Sequence, residues 1–150
     1  MKKILIFAAF SLLLIGNTAF ASGEELVNQK VRESFNKEFS TAGGVRWKQL
    51  KNENIFEAQF IYNNQRLCAF YDENGQLLVI SRAIPAASLP LLVTKKLNSQ
   101  YKDYQIQEVI EYVNEGDTSY FLQLEKNNQR VIVQAYSSGS TRIFKKERLK

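Results

Sequence analysis

Carboxylates are the most numerous groups in this sequence that could do acid–base chemistry. The chain carries fifteen Asp and Glu residues, one cysteine and no histidine. Without histidine it lacks the commonest general base and the commonest transition-metal ligand. Ser–His and Cys–His nucleophilic pairs are excluded for the same reason. Cys68 alone cannot make a zinc site. Two of the three aspartates, Asp72 and Asp117, fall in expected turns, where aspartate usually bonds its own backbone, and Asp103 precedes a strand. Glu108 and Glu111 lie on opposite faces of one expected strand, while Glu57 and Glu125 lie on equivalent strands. A glycosidase needs two carboxyls a few ångströms apart across a cleft, and solvated sheet residues account for this pattern more simply. The run Asp72-Glu73-Asn74-Gly75 lacks the ligand array and terminal glutamate of a calcium loop. The residues point away from an enzyme, and no metal or cofactor is expected. Cys68 reads as a small buried hydrophobe, with an intermolecular disulfide or reactive thiol as the alternatives.

The organisation that would position these residues is written twice. NNQRLCAFY (63–71) returns as NNQRVIVQAY (127–136), so that Asn63, Asn64, Gln65 and Arg66 match Asn127, Asn128, Gln129 and Arg130. VRESFNKEF (31–39) aligns with VTKKLNSQY (93–101) at nearly the same offset. Two segments in the same order indicate an internal duplication, with halves of about 22–86 and 87–150 sharing a sheet.

The first residues read as an export signal. Lys2 and Lys3 precede an apolar run from Ile4 to Ile15, followed by Ala19-Phe20-Ala21 with small residues where signal peptidase reads. Residues 1–21 are therefore expected to be a signal peptide cleaved near Ala21. The alternative, a membrane anchor, would need an apolar span of about 20 residues, longer than this one. Residues 22–150 then form a single domain in the periplasm or outside the cell, with no membrane span after cleavage. The formal charge of +5 is scattered, apart from Lys145, Lys146, Arg148 and Lys150. That cluster reads as a solvated chain end, and no nucleic-acid partner is expected.

Ser22 and Glu25 fit a capping box for a helix of about 24–39, whose stripe is Val27, Val31, Phe35 and Phe39. Strand patterns follow at 45–50, 55–62, 66–71 and 76–84. Asn63-Asn64 and Asn74-Gly75 supply the turns between them. Ser88 is expected to cap a second helix, with Pro90 in its first turn and Leu89, Val93 and Leu97 as its stripe. Strands at 104–113, 119–126, 130–136 and 141–146 complete the second half. Phe56, Ala58 and Phe60 map onto Tyr120, Leu122 and Leu124, which should face the helices, and Trp47, Phe56, Phe60 and Tyr101 are expected in the core. Glu57, Gln59 and Ile61 map onto Phe121, Gln123 and Glu125 on the other face. The fold class is α+β: a tandem repeat of one helix and a four-stranded antiparallel sheet, giving a curved sheet surface with helices on its other face.

Particular motifs carry a resemblance. They are V-x-x-x-F-x-x-x-F (Val31, Phe35, Phe39), V-x-W (Val45, Trp47), A-x-F (Ala58, Phe60), A-F-Y-D-x-N-G (69–75) and S-R-x-I before Leu89-Pro90. The chain resembles the PepSY-like proteins of the bacterial cell envelope, whose fold is similar to that of beta-lactamase-inhibitor protein. The resemblance spans the mature chain and implies a concave sheet surface. In the inhibitor that surface grips an enzyme. No inhibitory residue is matched here, and the inhibitor's disulfides cannot form with one cysteine. The leading expectation is a non-catalytic binding module that takes another envelope protein through Glu57, Gln59, Ile61, Phe121, Gln123 and Glu125 on an exposed sheet face. On the alternative arrangement of that face, a loop or the C-terminal segment covers Phe121. The competing functions are a small-ligand carrier with a pocket between helix and curled sheet, and a hydrolase working without histidine.

Overall fold

The computed structural model describes residues 27–50 and 54–149. The expected signal peptide and the Ser22–Glu25 capping box lie outside them. The chain runs α1 (Gln29–Glu38), β1 (Gly43–Leu50), β2 (Ile55–Tyr62), β3 (Gln65–Tyr71), β4 (Leu77–Ala83), α2 (Leu91–Gln100), β5 (Gln105–Asn114), β6 (Asp117–Lys126), β7 (Gln129–Tyr136) and β8 (Thr141–Arg148). All eight strands form one antiparallel sheet in sequence order, so β1 and β8 are its edges. No described helix is long and apolar enough to cross a membrane.

Turn chemistry sets this order. Asn63, Asn64, Asn127 and Asn128 all have positive φ, between 47° and 60°. A two-residue hairpin whose twist matches its strands needs that conformation at both central positions, and asparagine tolerates it. The repeated Asn-Asn pair therefore closes β2–β3 and β6–β7. Between β3 and β4 the Asp72 carboxylate accepts from the backbone N–H of Asn74 (2.9 Å) and Gln76 (2.8 Å), the backbone service expected of it. Gly75 follows at φ +83°, and a Cβ there would lie 2.7 Å from the Lys30 carbonyl oxygen. Only glycine lets this turn dock beneath α1.

Helix α1 begins later than its apolar stripe suggests. Asn28 is extended and caps the helix, its Oδ1 accepting from Val31 N–H at 3.0 Å, while its Nδ2 donates to the Glu73 carbonyl at 2.9 Å. The cap is thus also a tie to the β3–β4 turn, a long-range contact that helical periodicity cannot reveal. At α2 the expectation also shifts. Ser88 sits in a 3-10 turn (Ala86–Ser88), and the extended Pro90 precedes the helix at Leu91.

The two helices lie over one face. Phe35 meets Trp47 (5.2 Å), Phe60 (4.9 Å) and Phe39 (5.4 Å) between ring centroids. Phe56, Ala58, Ala69 and Tyr71 complete this cluster, and the Tyr71 hydroxyl donates to Glu38 at 3.2 Å. Under α2, Val93 and Leu97 pack on Tyr120, Leu122, Leu124, Val131 and Val133, with Tyr101 only half-buried. The pairing Ala58–Ala69–Ile80–Val113 carries the helix-bearing face from β2 to β5. On that face Arg82 of β4 holds Glu111 of β5 at 2.6 Å and Gln65 of β3 at 2.8 Å. The basic C-terminal cluster is not a loose tail. Lys145, Lys146 and Arg148 belong to edge strand β8, where such charges discourage pairing with another sheet.

Candidate functional site

The other face has no helix, and strand alternation determines what it carries. Glu57, Gln59 and Ile61 of β2 point there, as do Glu108, Ile110 and Tyr112 of β5, and Phe121, Gln123 and Glu125 of β6. The expected broad, exposed sheet surface is corrected in its centre. Leu50, Ile55, Phe70, Val79, Ile110, Tyr112, Phe121 and Ile132 form a second apolar core there.

The six expected site residues therefore have different surroundings. Phe121 is only 6 % exposed, with Tyr112 against it at 5.1 Å and Phe144 of β8 at 5.5 Å. The C-terminal strand thus contributes to its cover, the alternative arrangement of this face. Glu57 and Gln123 are buried too. Tyr112 and Phe144, the latter on a strand β8 longer than expected, cover Phe121, a position that alternation alone would leave in water. Ile61 is exposed at 49 %, and Gln59 and Glu125 are half-buried. Gln59 Nε2 donates to Glu57 at 2.8 Å, and Gln123 Nε2 donates to Glu125 at 3.2 Å. Glu125 also accepts from Arg130 at 2.8 Å, and Arg130 continues to Glu147 at 3.1 Å. The two trios share a face, but β3, β4 and β5 separate them.

The centre of this face is buried, and Glu57 and Glu108 lie on the same face. Burial pushes the Cys68 thiol up to about 12, and the Glu57 charge adds to the effect against weaker opposition from Ser81 and Arg66. A thiol so held is a packing group, since nucleophilic cysteines need a depressed pKa. Burial likewise raises Tyr112, followed by the charges of Cys68, Glu57 and Glu108, and burial raises Glu108 itself. Tyr112 and Ser81 were not singled out from the sequence. Extending the alternation of β5 from Glu108 would have placed Tyr112 here.

A separate cleft of about 370 Å³ lies at the edge of α1, lined by Glu38, residues 75–80 and residues 113–115.

No family model and no curated protein sequence matches the chain. Several solved structures share its fold. A DUF2874 family protein from Bacteroides uniformis superposes with a TM-score of 0.71 at 15 % identity, covering 81 % of this chain and 89 % of that one. A protein from Bacteroides eggerthii, provisionally described as periplasmic, gives 0.71 at 16 % identity, covering 81 % and 88 %. A BLIP-like protein from Bacteroides fragilis gives 0.66 at 17 % identity, covering 81 % and 86 %. At these identities the likeness is one of fold: this chain has the architecture of the BLIP-like structures.

Proposed function

We propose that this protein is a non-catalytic binding module of the cell envelope, which takes another envelope protein on the helix-free face of its sheet. One observation carries the reading. That face combines a buried apolar floor with exposed Ile61 and half-buried Gln59 and Glu125 around it. An exposed apolar side chain among polar ones, here Ile61 beside Gln59, suits an interface with a polar rim. The buried Phe121 shapes the floor, and the accessible residues make contact. The high pKa of the sole thiol and the absence of histidine support a binding role over a catalytic one. The BLIP-like neighbour supports a binding module by analogy of fold alone and does not bear on the choice of face. The same proposal includes export through residues 1–21, origin of 22–150 by duplication of a helix-plus-four-strand unit, and kinship with PepSY-like proteins.

The experiment is affinity capture from envelope extract with wild-type protein, Ile61→Asp and a control on the helix-bearing side, Leu91→Asp. Leu91 is 81 % exposed, so both substitutions should leave folding intact. Loss of the captured protein with Ile61→Asp alone supports the reading; equal capture by all three removes it. The small-ligand carrier reading draws on the cleft beside Glu38, and a compound shifting Leu78 and Val113 resonances would favour it.

A further inference from the structure

Helices α1 and α2 occupy equivalent places over their strands, yet their outer sides differ. Gln29–Glu38 aligns with Leu91–Gln100 position for position. The first turn of each meets a glycine of its own hairpin turn. A Cβ on Gly75 would lie 2.7 Å from the Lys30 carbonyl oxygen, and one on Gly139 would lie 3.1 Å from that of Leu92. Where α1 carries Gln29, Lys30, Glu33 and Ser34, α2 carries Leu91, Leu92, Lys95 and Lys96. Leu91 is 81 % exposed and Leu92 is 55 % exposed. Because α1 packs with polar residues at both places, packing of such a helix does not call for leucine there.

The adjoining sheet edge continues the pattern. Ile143 and Lys146 of β8 pair with Val133 and Val131, which pack under α2, so both lie on the helix side, and Ile143 is exposed. The Thr141 hydroxyl donates to Gln100 at 3.1 Å, tying β8 to the last turn of α2. Lys95, Lys96 and Lys146 make no ion pair among the described residues. Residues 84–104 contain one acid, Asp103, which Lys126 holds at 3.0 Å. Glu147 turns to the helix-free face with Arg130, and Glu115 and Asp117 lie at the β5–β6 turn, two strands in from β8. Guarding of a sheet edge accounts for Lys146, but not for exposed leucines beside lysines on α2.

We propose that the α2–β8 edge rests on an anionic phospholipid surface. Leu91, Leu92 and Ile143 enter the boundary between headgroups and acyl chains, and Lys95, Lys96 and Lys146 meet lipid phosphates. Apolar side chains flanked by cations bind such an interface because burial and electrostatic attraction act together. Leu91 stands almost wholly clear of the protein, so a broad, deformable partner suits it better than a shaped pocket. A second copy of this edge would set lysines against lysines, which charge repulsion opposes. The helix-free face is on the other side of the sheet, so a protein can dock there while this edge touches lipid.

The test is co-sedimentation of the exported protein with vesicles of phosphatidylcholine alone or mixed with phosphatidylglycerol, at low and high salt. Binding should require phosphatidylglycerol and weaken with salt. Two variants borrow the residues of α1, which keeps them compatible with the helix. The double variant Lys95→Glu, Lys96→Ser should bind at least about thirtyfold more weakly, as expected for two lost cations. Leu91→Gln, which leaves the charge unchanged, should bind about tenfold more weakly. Ile61→Asp, on the helix-free face, should bind vesicles like wild type, so failure of the protein-docking reading leaves this result standing and the reverse also holds. Equal binding to both vesicle types, or undiminished binding by the folded double variant, would overturn the proposal. Full binding by Leu91→Gln, with polyglutamate competing against the vesicles, would overturn it in favour of an acidic protein as the occupant.

Discussion

Replacing Phe121 by alanine separates the two arrangements of the helix-free face. On an open sheet the change would barely affect stability. In this structure the ring is 6 % exposed and meets two others, Tyr112 at 5.1 Å and Phe144 at 5.5 Å, both edge-on. Truncating a buried phenylalanine costs about 3–5 kcal/mol, lost transfer energy and residual cavity together. Each edge-on aromatic pair contributes about 0.5–1.5 kcal/mol beyond its area, part of which is already inside that range. A value near 4 kcal/mol is therefore expected. For a domain of this size each kcal/mol moves the melting temperature by roughly 3–5 °C, so the variant should melt roughly 10–20 °C lower. Near-ultraviolet circular dichroism on heating, with Ile61→Ala beside it, gives the measurement. Ile61→Ala should shift by no more than a few degrees. A Phe121→Ala melt within about 3 °C of wild type would refute the second core and return Phe121 to the solvated surface.

Phe60→Ala should cost about 3–5 kcal/mol in urea unfolding, because Phe60 lies against Phe35 at 4.9 Å and Phe39 at 4.6 Å; an unchanged midpoint would contradict this. Gly75→Ala should cost about 1–2 kcal/mol for the positive φ alone, and more for the approach to the Lys30 carbonyl; a neutral result would mean that the turn does not dock under α1. Cys68→Ala should leave a soluble, folded protein, and wild-type Cys68 should react with iodoacetamide at pH 8 far more slowly than a free thiol, since its pKa of about 12 leaves little thiolate. Stability should fall as pH rises from about 9 toward 12. Cys68, Tyr71 and Tyr112 hold their protons more tightly folded than unfolded, so the native state binds more protons in that window. Tyr71→Phe should flatten the fall, and an equally steep alkaline loss in that variant would remove Tyr71 from the account.

Where sequence reasoning succeeded, the deciding physics was local. Asn63-Asn64 and Asn127-Asn128 announce left-handed turns by residue type, and the alternation of Phe56, Ala58 and Phe60 identifies the face under α1. Where it failed, the deciding contact was distant. Asn28 is a cap because Glu73 and Gly75 come back beneath the helix. Phe121 is covered partly because β8, last in the chain, brings Phe144 against it. Alternation could assign Glu57 and Gln123 to the helix-free face, but it could not foresee their burial, which depends on long-range packing. Ile61 kept the exposure expected of it, Gln59 and Glu125 are half-buried, and Tyr112, buried on the same face, went unmarked.

The most direct test of the account is photo-crosslinking in the living cell of origin. A benzophenone amino acid replaces Ile61 on the helix-free face or, as control, Lys95 on the exposed side of α2. The account predicts one discrete protein adduct from position 61 and none from position 95. No adduct at 61, or the same adduct from both positions, would contradict the claim that this face is where the protein meets its partner.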